Sequence, residues 1–213
     1  MKCMFVKSIM IPNYNCITVK DEDTLKTALE KLEYHRIDGI PVLRGEEYVG
    51  IVTRFNIYQG FFLASKSKEE YLQTTLAGEK VSFQEKYLTG NEIFEATLLD
   101  LKDFPLIAVV DEKRKFKGVV TRADVLEQFQ SAFGVNRPGV RIAFTSAETE
   151  GRFARIAEIA HSFHEQIISF VTFDETDKLV RRVVMKIEKN DNIEKFIQKL
   201  EDSGFRVISI NEV

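Results

Sequence analysis

The chain has 213 residues, 44% of them hydrophobic and 30% charged, with 11 glycines and 4 prolines. That composition fills one large core or two to three small ones, and it excludes disordered and collagen-like chains. Thirty Lys and Arg stand against 33 Asp and Glu, a net charge of −3, and neither side of Pro138 is strongly basic, which argues against a module that tracks nucleic-acid phosphates.

The segment Met1–Lys7 has no sustained apolar run and no small-residue cleavage site, so no signal peptide is expected. Nowhere is there the run of about 18 apolar residues that a membrane span needs. The expectation is a cytoplasmic protein with no membrane and no nucleic acid among its partners. Cys3 and Cys16 cannot complete a zinc site by themselves and read as reduced thiols of a cytosolic protein.

One pattern occurs twice. Gly50-Ile51-Val52-Thr53-Arg54-Phe55-Asn56 and Gly118-Val119-Val120-Thr121-Arg122-Ala123-Asp124 lie 68 residues apart, and the same shift pairs Tyr48 with Phe116, Leu25 with Ile93 and Ala28 with Ala96. About the first 135 residues therefore read as one unit used twice. In the first copy, Ile17-Thr18-Val19 is β-rich, and Asp23 is placed to cap a helix with apolar positions Leu25, Ala28, Leu29 and Leu32. Strands follow at Ile40–Leu43 and Tyr48–Val52 across the turn Arg44-Gly45-Glu46, and then a helix from Arg54 to Phe62. Residues 64–70 are polar and read as an exposed connection. The second copy repeats the order, with a helix at Ile93–Leu101, strands at Leu106–Val110 and Phe116–Val120, and a helix at Asp124–Phe133. Its lead-in strand is weakly marked, and Val81-Ser82-Phe83 is the candidate.

Gly134-Val135-Asn136-Arg137-Pro138-Gly139 stops the pattern. Beyond it come a strand at Arg141–Phe144 and a helical stripe of Phe153, Ile156, Ala157, Ala160 and Phe163. Strands at Ile167–Phe173 and Leu179–Ile187 follow, joined by the turn Asp174-Glu175-Thr176-Asp177. A helix at Ile193–Leu200 closes near Gly204, and Phe205–Ile210 is a last strand. This is βαββαβ, a ferredoxin-like order whose uncovered sheet face or edge calls for a second copy.

The repeated Gly-x-x-Thr-Arg segment sits where a strand ends and a helix begins, a place that favours an anion. Thr53 and Thr121 offer hydroxyl donors to a phosphate, and Arg54 and Arg122 offer charge-assisted ones. Asp124 offers two acceptor oxygens to a ribose diol. The plainer reading of the same residues is helix caps with surface arginines.

These residues carry a resemblance. The stretch Val6-Lys7-Ser8-Ile9-Met10-Ile11-Pro12-Asn13 with Ile17-Thr18-Val19, then Arg36-Ile37-Asp38-Gly39-Ile40-Pro41-Val42, and both Gly-x-x-Thr-Arg segments make residues 4–134 resemble a pair of CBS domains, the Bateman module. Residues 139–213 resemble an ACT domain. The combination is similar to the acetoin-utilisation regulatory type of CBS–ACT protein and to cyclic di-AMP-binding CBS–ACT proteins. The implied fold is α/β (α+β), with a first CBS domain at 1–63, a linker at 64–75, a second CBS domain at 76–134, a hinge at 135–139 and an ACT domain at 140–213.

The resemblance implies an adenine nucleotide as regulatory ligand, no cofactor and no catalysis. It places phosphate on Thr121 and Thr53 and ribose on Asp124, with adenine against Ile17, Thr18, Ile37, Gly39 and Pro41. Cyclic di-AMP is favoured, because two adenines and two phosphates would use the apolar and basic parts together; AMP or ATP comes next. Two departures bear on this. Asn56 stands where the first repeat should carry Asp, so the Asp124 cleft is expected to be the better ribose site. The turn Ser146-Ala147-Glu148-Thr149-Glu150-Gly151 keeps only the glycine of the Asp-x-Pro-Gly-like turn of amino-acid-binding ACT domains, which favours an interface role.

Other constellations are weaker. Glu158, His161 and His164 share one helical side but have no second cluster to complete a metal site. His35 has no evident Ser or Cys partner for nucleophilic catalysis, there is no Walker-type loop, and the 17 phenylalanines read as core. The leading expectation is a non-catalytic nucleotide sensor acting through a homodimer or larger homo-oligomer on an unspecified protein target. The alternatives are a ligand-free scaffold that binds a partner, and an amino-acid-responsive regulator or enzyme.

Overall fold

The computed structural model describes residues 5–147, 150–174 and 180–213. Cys3 and parts of the two turns at 146–151 and 174–177 lie outside the described residues. The chain divides into two compact units, the first ending at Leu126 and the second starting at Glu127.

The first unit contains, in order, α1 (Val6–Ile9), β1 (Ile11–Pro12), β2 (Val19–Lys20), α2 (Leu25–Tyr34), β3 (Gly39–Arg44), β4 (Glu47–Thr53), α3 (Arg54–Phe62), α4 (Lys68–Thr74), β5 (Tyr87–Leu88), α5 (Thr97–Leu101), β6 (Leu106–Val110), β7 (Phe116–Thr121) and the start of α6 (Arg122–Ala132). It holds two sheets, β2-β3-β4 and β1-β7-β6-β5. In each, a short strand runs parallel to the first strand of a hairpin: Val19 opposite Val42, and Tyr87 opposite Ala108.

The repeats exchange edges. β1 pairs with β7 through Ile11–Val119 and Pro12–Gly118. Reciprocally, Ser82 and Ile51 exchange two backbone hydrogen bonds of 2.8 Å. Val81-Ser82-Phe83 is therefore not the lead-in strand of the second copy; that strand is β5. Two-residue strands are too short to show an alternating pattern, so pairing alone defines them. Where the hairpins meet, the Tyr48 N–H donates to Arg114 O and the Phe116 N–H donates to Glu46 O, at 3.0 and 2.9 Å. Residues 46 and 114, and 48 and 116, are related by the 68-residue shift, so this pair of bonds marks a pseudo-twofold axis. Tyr48, Ile51, Leu106, Ala108, Val110, Phe116 and Val119 bury together there as a shared core.

Three local expectations need correction. Thr24, not Asp23, caps α2 by accepting from the Thr27 N–H; the Asp23 carboxylate instead accepts from the Lys20 N–H at 2.9 Å. The 93–101 helix is a 3₁₀ turn at Phe94–Ala96 followed by the short α5, and the Thr97 hydroxyl donates back to the Phe94 carbonyl, which ties the junction between them. The polar connection is only partly a free tether. Ser67 caps α4 by accepting from the Glu70 N–H, and Tyr71 is 2% exposed in the first repeat's core beside Leu25, Leu29 and Ile57.

The second unit contains β8 (Val140–Ala147), α7 (Arg152–Ser162), β9 (Ile167–Asp174), β10 (Val180–Ile187), α8 (Ile193–Asp202) and β11 (Arg206–Glu212). Its antiparallel sheet has the order β11-β8-β10-β9. Phe144, Val183, Met185, Ile156, Phe196 and Leu200 form its core. The α7 stripe is rotated from the expected one: Ile156, Ile159 and Ala160 are buried, whereas Phe153 and Ala157 are exposed. Residues after Leu126 pack within this unit. The Ser169 hydroxyl donates to Phe133 O, and the buried Lys186 ammonium donates to Gly134 O, both at 3.0 Å. No helix among the described residues is long and apolar enough to cross a membrane.

Candidate functional site

The β4–α3 and β7–α6 junctions are built alike. Thr53 and Asn56 form a reciprocal cap: the Thr53 N–H and hydroxyl donate to Asn56 Oδ1 at 3.2 and 2.6 Å, and the Asn56 N–H donates to Thr53 Oγ1. Thr121 and Asp124 do the same, with 2.8 and 2.6 Å bonds to Asp124 Oδ2. Each arginine reaches back to the end of the preceding helix. Arg54 donates to Leu32 O and to the Asp38 carboxylate, and Arg122 donates to Leu101, Lys102 and Phe104 carbonyls. The repeated Thr-Arg-x-Asp/Asn motif thus first serves the fold, satisfying helix ends that would otherwise lack partners.

A cavity of about 510 Å³ opens in the first unit, within the usual range of small-molecule sites. Ile17, Ile37, Gly39 and Pro41 of the first repeat line it together with Thr121 and Arg122 of the second. The apolar wall of one repeat therefore faces the threonine-bearing strand end of the other. Thr18, Thr53, Arg54, Asn56 and Asp124 are not part of the lining. The Thr18 carbonyl accepts from the Lys31 ammonium at 2.8 Å. Asp124 lies close enough for its charge to act on Cys16 in the wall.

Ten further residues complete the lining: Ile11, Asn15, Cys16, Arg36, Asp38, Pro105, Leu106, Val119, Ala123 and Leu126. Val119 and Ala123 belong to the repeated motif, and Cys16 adjoins Ile17; that proximity was the available signal for them. Arg36, whose φ of 53° is left-handed, and Asp38 add opposite charges to the wall.

The Cys16 thiol donates to the Ile11 and Pro12 carbonyls at 3.3 Å. Burial is the main cause pushing its pKa up to about 11, and the Asp124 charge adds to it, against a lowering backbone hydrogen bond at Val119. A thiol held protonated is a poor nucleophile. In a Cys3→Ser background, Cys16 is expected to react with 5,5′-dithiobis(2-nitrobenzoate) at pH 8 about 100-fold more slowly than a free cysteine. Equal rates in the folded and urea-denatured protein would show that the wall does not shield it.

His161 and His164 are both exposed, with ring centroids 6.4 Å apart, and among the described residues no group of three His, Cys, Asp or Glu could hold a metal ion.

Comparison with known proteins agrees with the repeat fold. Residues 6–61 match the CBS domain family. Over 205 residues the chain is 26% identical to an inosine-5′-monophosphate dehydrogenase of Korarchaeum cryptofilum (strain OPF8), covering 90% of this chain and 41% of that protein; the chain thus spans about two-fifths of this curated relative's length. Among solved structures, CBSX2 in complex with AMP is 24% identical with a TM-score of 0.51, over 63% of this chain and all of that one. CbpB in complex with c-di-AMP is 19% identical with a TM-score of 0.53, over 60% and 85%. At these identities the likeness to the two structures is one of fold.

Proposed function

We propose that the chain is a regulatory nucleotide sensor that binds an adenine nucleotide in the 510 Å³ cavity and has no catalytic step of its own. The observation that carries the reading is the meeting, in one cavity, of the Ile17–Ile37–Gly39–Pro41 wall with Thr121 and Arg122. A purine fits the apolar side, and a phosphate fits the guanidinium and helix N-terminus, with the Thr121 hydroxyl exchanging its bond to Asp124 for one to a phosphate oxygen. The neighbours solved with AMP and c-di-AMP support that ligand class. Cyclic di-AMP is the first candidate, since it would place adenine and phosphate on the two sides at once, and AMP and ATP follow. In this reading Asp124, through the carboxylate oxygen not engaged by Thr121, accepts from the ribose, and Thr53, Arg54 and Asn56 serve the fold.

The same proposal treats the second unit as an ACT domain. Its βαββαβ order and its β11-β8-β10-β9 sheet support this, and its role is to pair two chains in the cytoplasm. A nucleotide changes that assembly only by binding one arrangement better than another.

Calorimetric titration of the full chain with cyclic di-AMP, AMP and ATP tests the reading. Saturable binding of at least one at sub-millimolar concentration is expected, together with a rise in melting temperature. Silence with all three, or a shift with common amino acids instead, overturns it. Dehydrogenation of inosine monophosphate would instead favour the dehydrogenase reading raised by the curated relative.

A further inference from the structure

The pseudo-twofold axis of the first unit should generate two equivalent clefts, one at each threonine-bearing strand end. They are not equivalent here. Thr121 is half-buried and lines an open cavity, whereas Thr53 is 8% exposed and is not among the cavity's residues. The difference traces to particular side chains. Ile37 stands two residues before Gly39, which pairs with Thr53; its counterpart, two residues before the Leu106–Thr121 pair, is Phe104. The Phe104 ring meets the Phe83 ring with centroids 3.9 Å apart, and the Lys86 ammonium sits 4.6 Å from the Phe104 centroid.

The polar end is occupied as well. Ser82, immediately before Phe83, is held to the Ile51 backbone and donates its hydroxyl to Asn56 Oδ1 at 3.1 Å. That oxygen already takes both Thr53 donors. An amide has no second acceptor oxygen to give a ribose.

From this geometry we infer that the chain seals its Thr53 end with its own Ser82, Phe83 and Phe104, leaving one nucleotide site per chain. The inference rests on the proposed nucleotide reading for its ligand, but the seal is a property of the protein alone, and the two are tested separately. In a Cys3→Ser, Cys16→Ser background, the Ser82→Cys variant is expected to react with a bulky maleimide at least about tenfold more slowly than the Asn15→Cys variant, whose thiol lines the open cavity. Adding Phe83→Ala to Ser82→Cys removes that protection. Equal rates at the two positions, or no gain from Phe83→Ala, overturn the seal.

Titration of the unmodified chain with AMP is expected to give one site per chain. Two sites overturn the inference while leaving the nucleotide reading intact. No binding of AMP, ATP or cyclic di-AMP, with the labelling difference present, overturns the nucleotide reading while the seal stands.

Discussion

Replacing Gly118 with alanine is expected to destabilise the chain by about 3 kcal/mol or more, at the upper end of what overpacking produces. A Cβ at Gly118 would fall on the carbonyl oxygen of Ile11, with Pro12 Cα also in reach. Both obstacles are backbone, so no side-chain rotation relieves them; β1 must leave β7, and with it goes one of the two crossed edges that bind the repeats. The counterpart, Gly50, meets Val81 Cβ at 2.8 Å and Ser82 O at 2.9 Å, so Gly50→Ala should be costly for the same reason. Gly45 is the control. Its φ of 62° is left-handed, but nothing lies within 4 Å of an added Cβ. Gly45→Ala should therefore cost only about 1 kcal/mol of backbone strain. Urea unfolding followed by circular dichroism, suited to a chain without tryptophan, measures all three. A Gly118→Ala midpoint no lower than that of Gly45→Ala would mean that the strand crossing is not packed as described.

The Asp124→Asn substitution separates the two roles of the motif. Asn56 shows that an amide makes the same cap as Asp124, so stability should change by less than about 0.5 kcal/mol. Nucleotide affinity should fall about 10- to 100-fold, because a charged acceptor to the ribose is replaced by an amide group. Asp124→Ala loses both functions: the cap, worth about 1 kcal/mol, and the ligand contact. AMP titration and thermal melts of the same preparations read the two effects apart. Wild-type affinity in Asp124→Asn would show that the carboxylate does not hold the ribose and that Thr121 and Asp124 are only a helix cap.

Much of the first unit was legible because it is written twice. The 68-residue shift marked the hairpins and their following helices: Arg54–Phe62 and Leu106–Val110 stand where the pattern placed them. Long apolar or periodic stretches state their own structure. The lead-in strand β5 is not legible because two residues carry no period, and Asp23 reads as well as Thr24 for the cap because Asp and Thr cap helices nearly equally well. The arginines were legible as charges but not as caps, since the carbonyls they bind lie about 20 residues away in sequence.

The site divides in the same way. From the residues alone, one can tell that the two threonine ends differ, since Asn56 and Asp124 have different chemistry wherever they lie. Which end is open was decided only in three dimensions. It depends on Ile37, Gly39 and Pro41 reaching across to Thr121, and on Phe83 meeting Phe104 at the other end. The first set of contacts joins residues from different repeats and the second joins residues about 20 apart within one repeat, and no local spacing records which side chain will occupy a volume that two copies of one fold enclose between them.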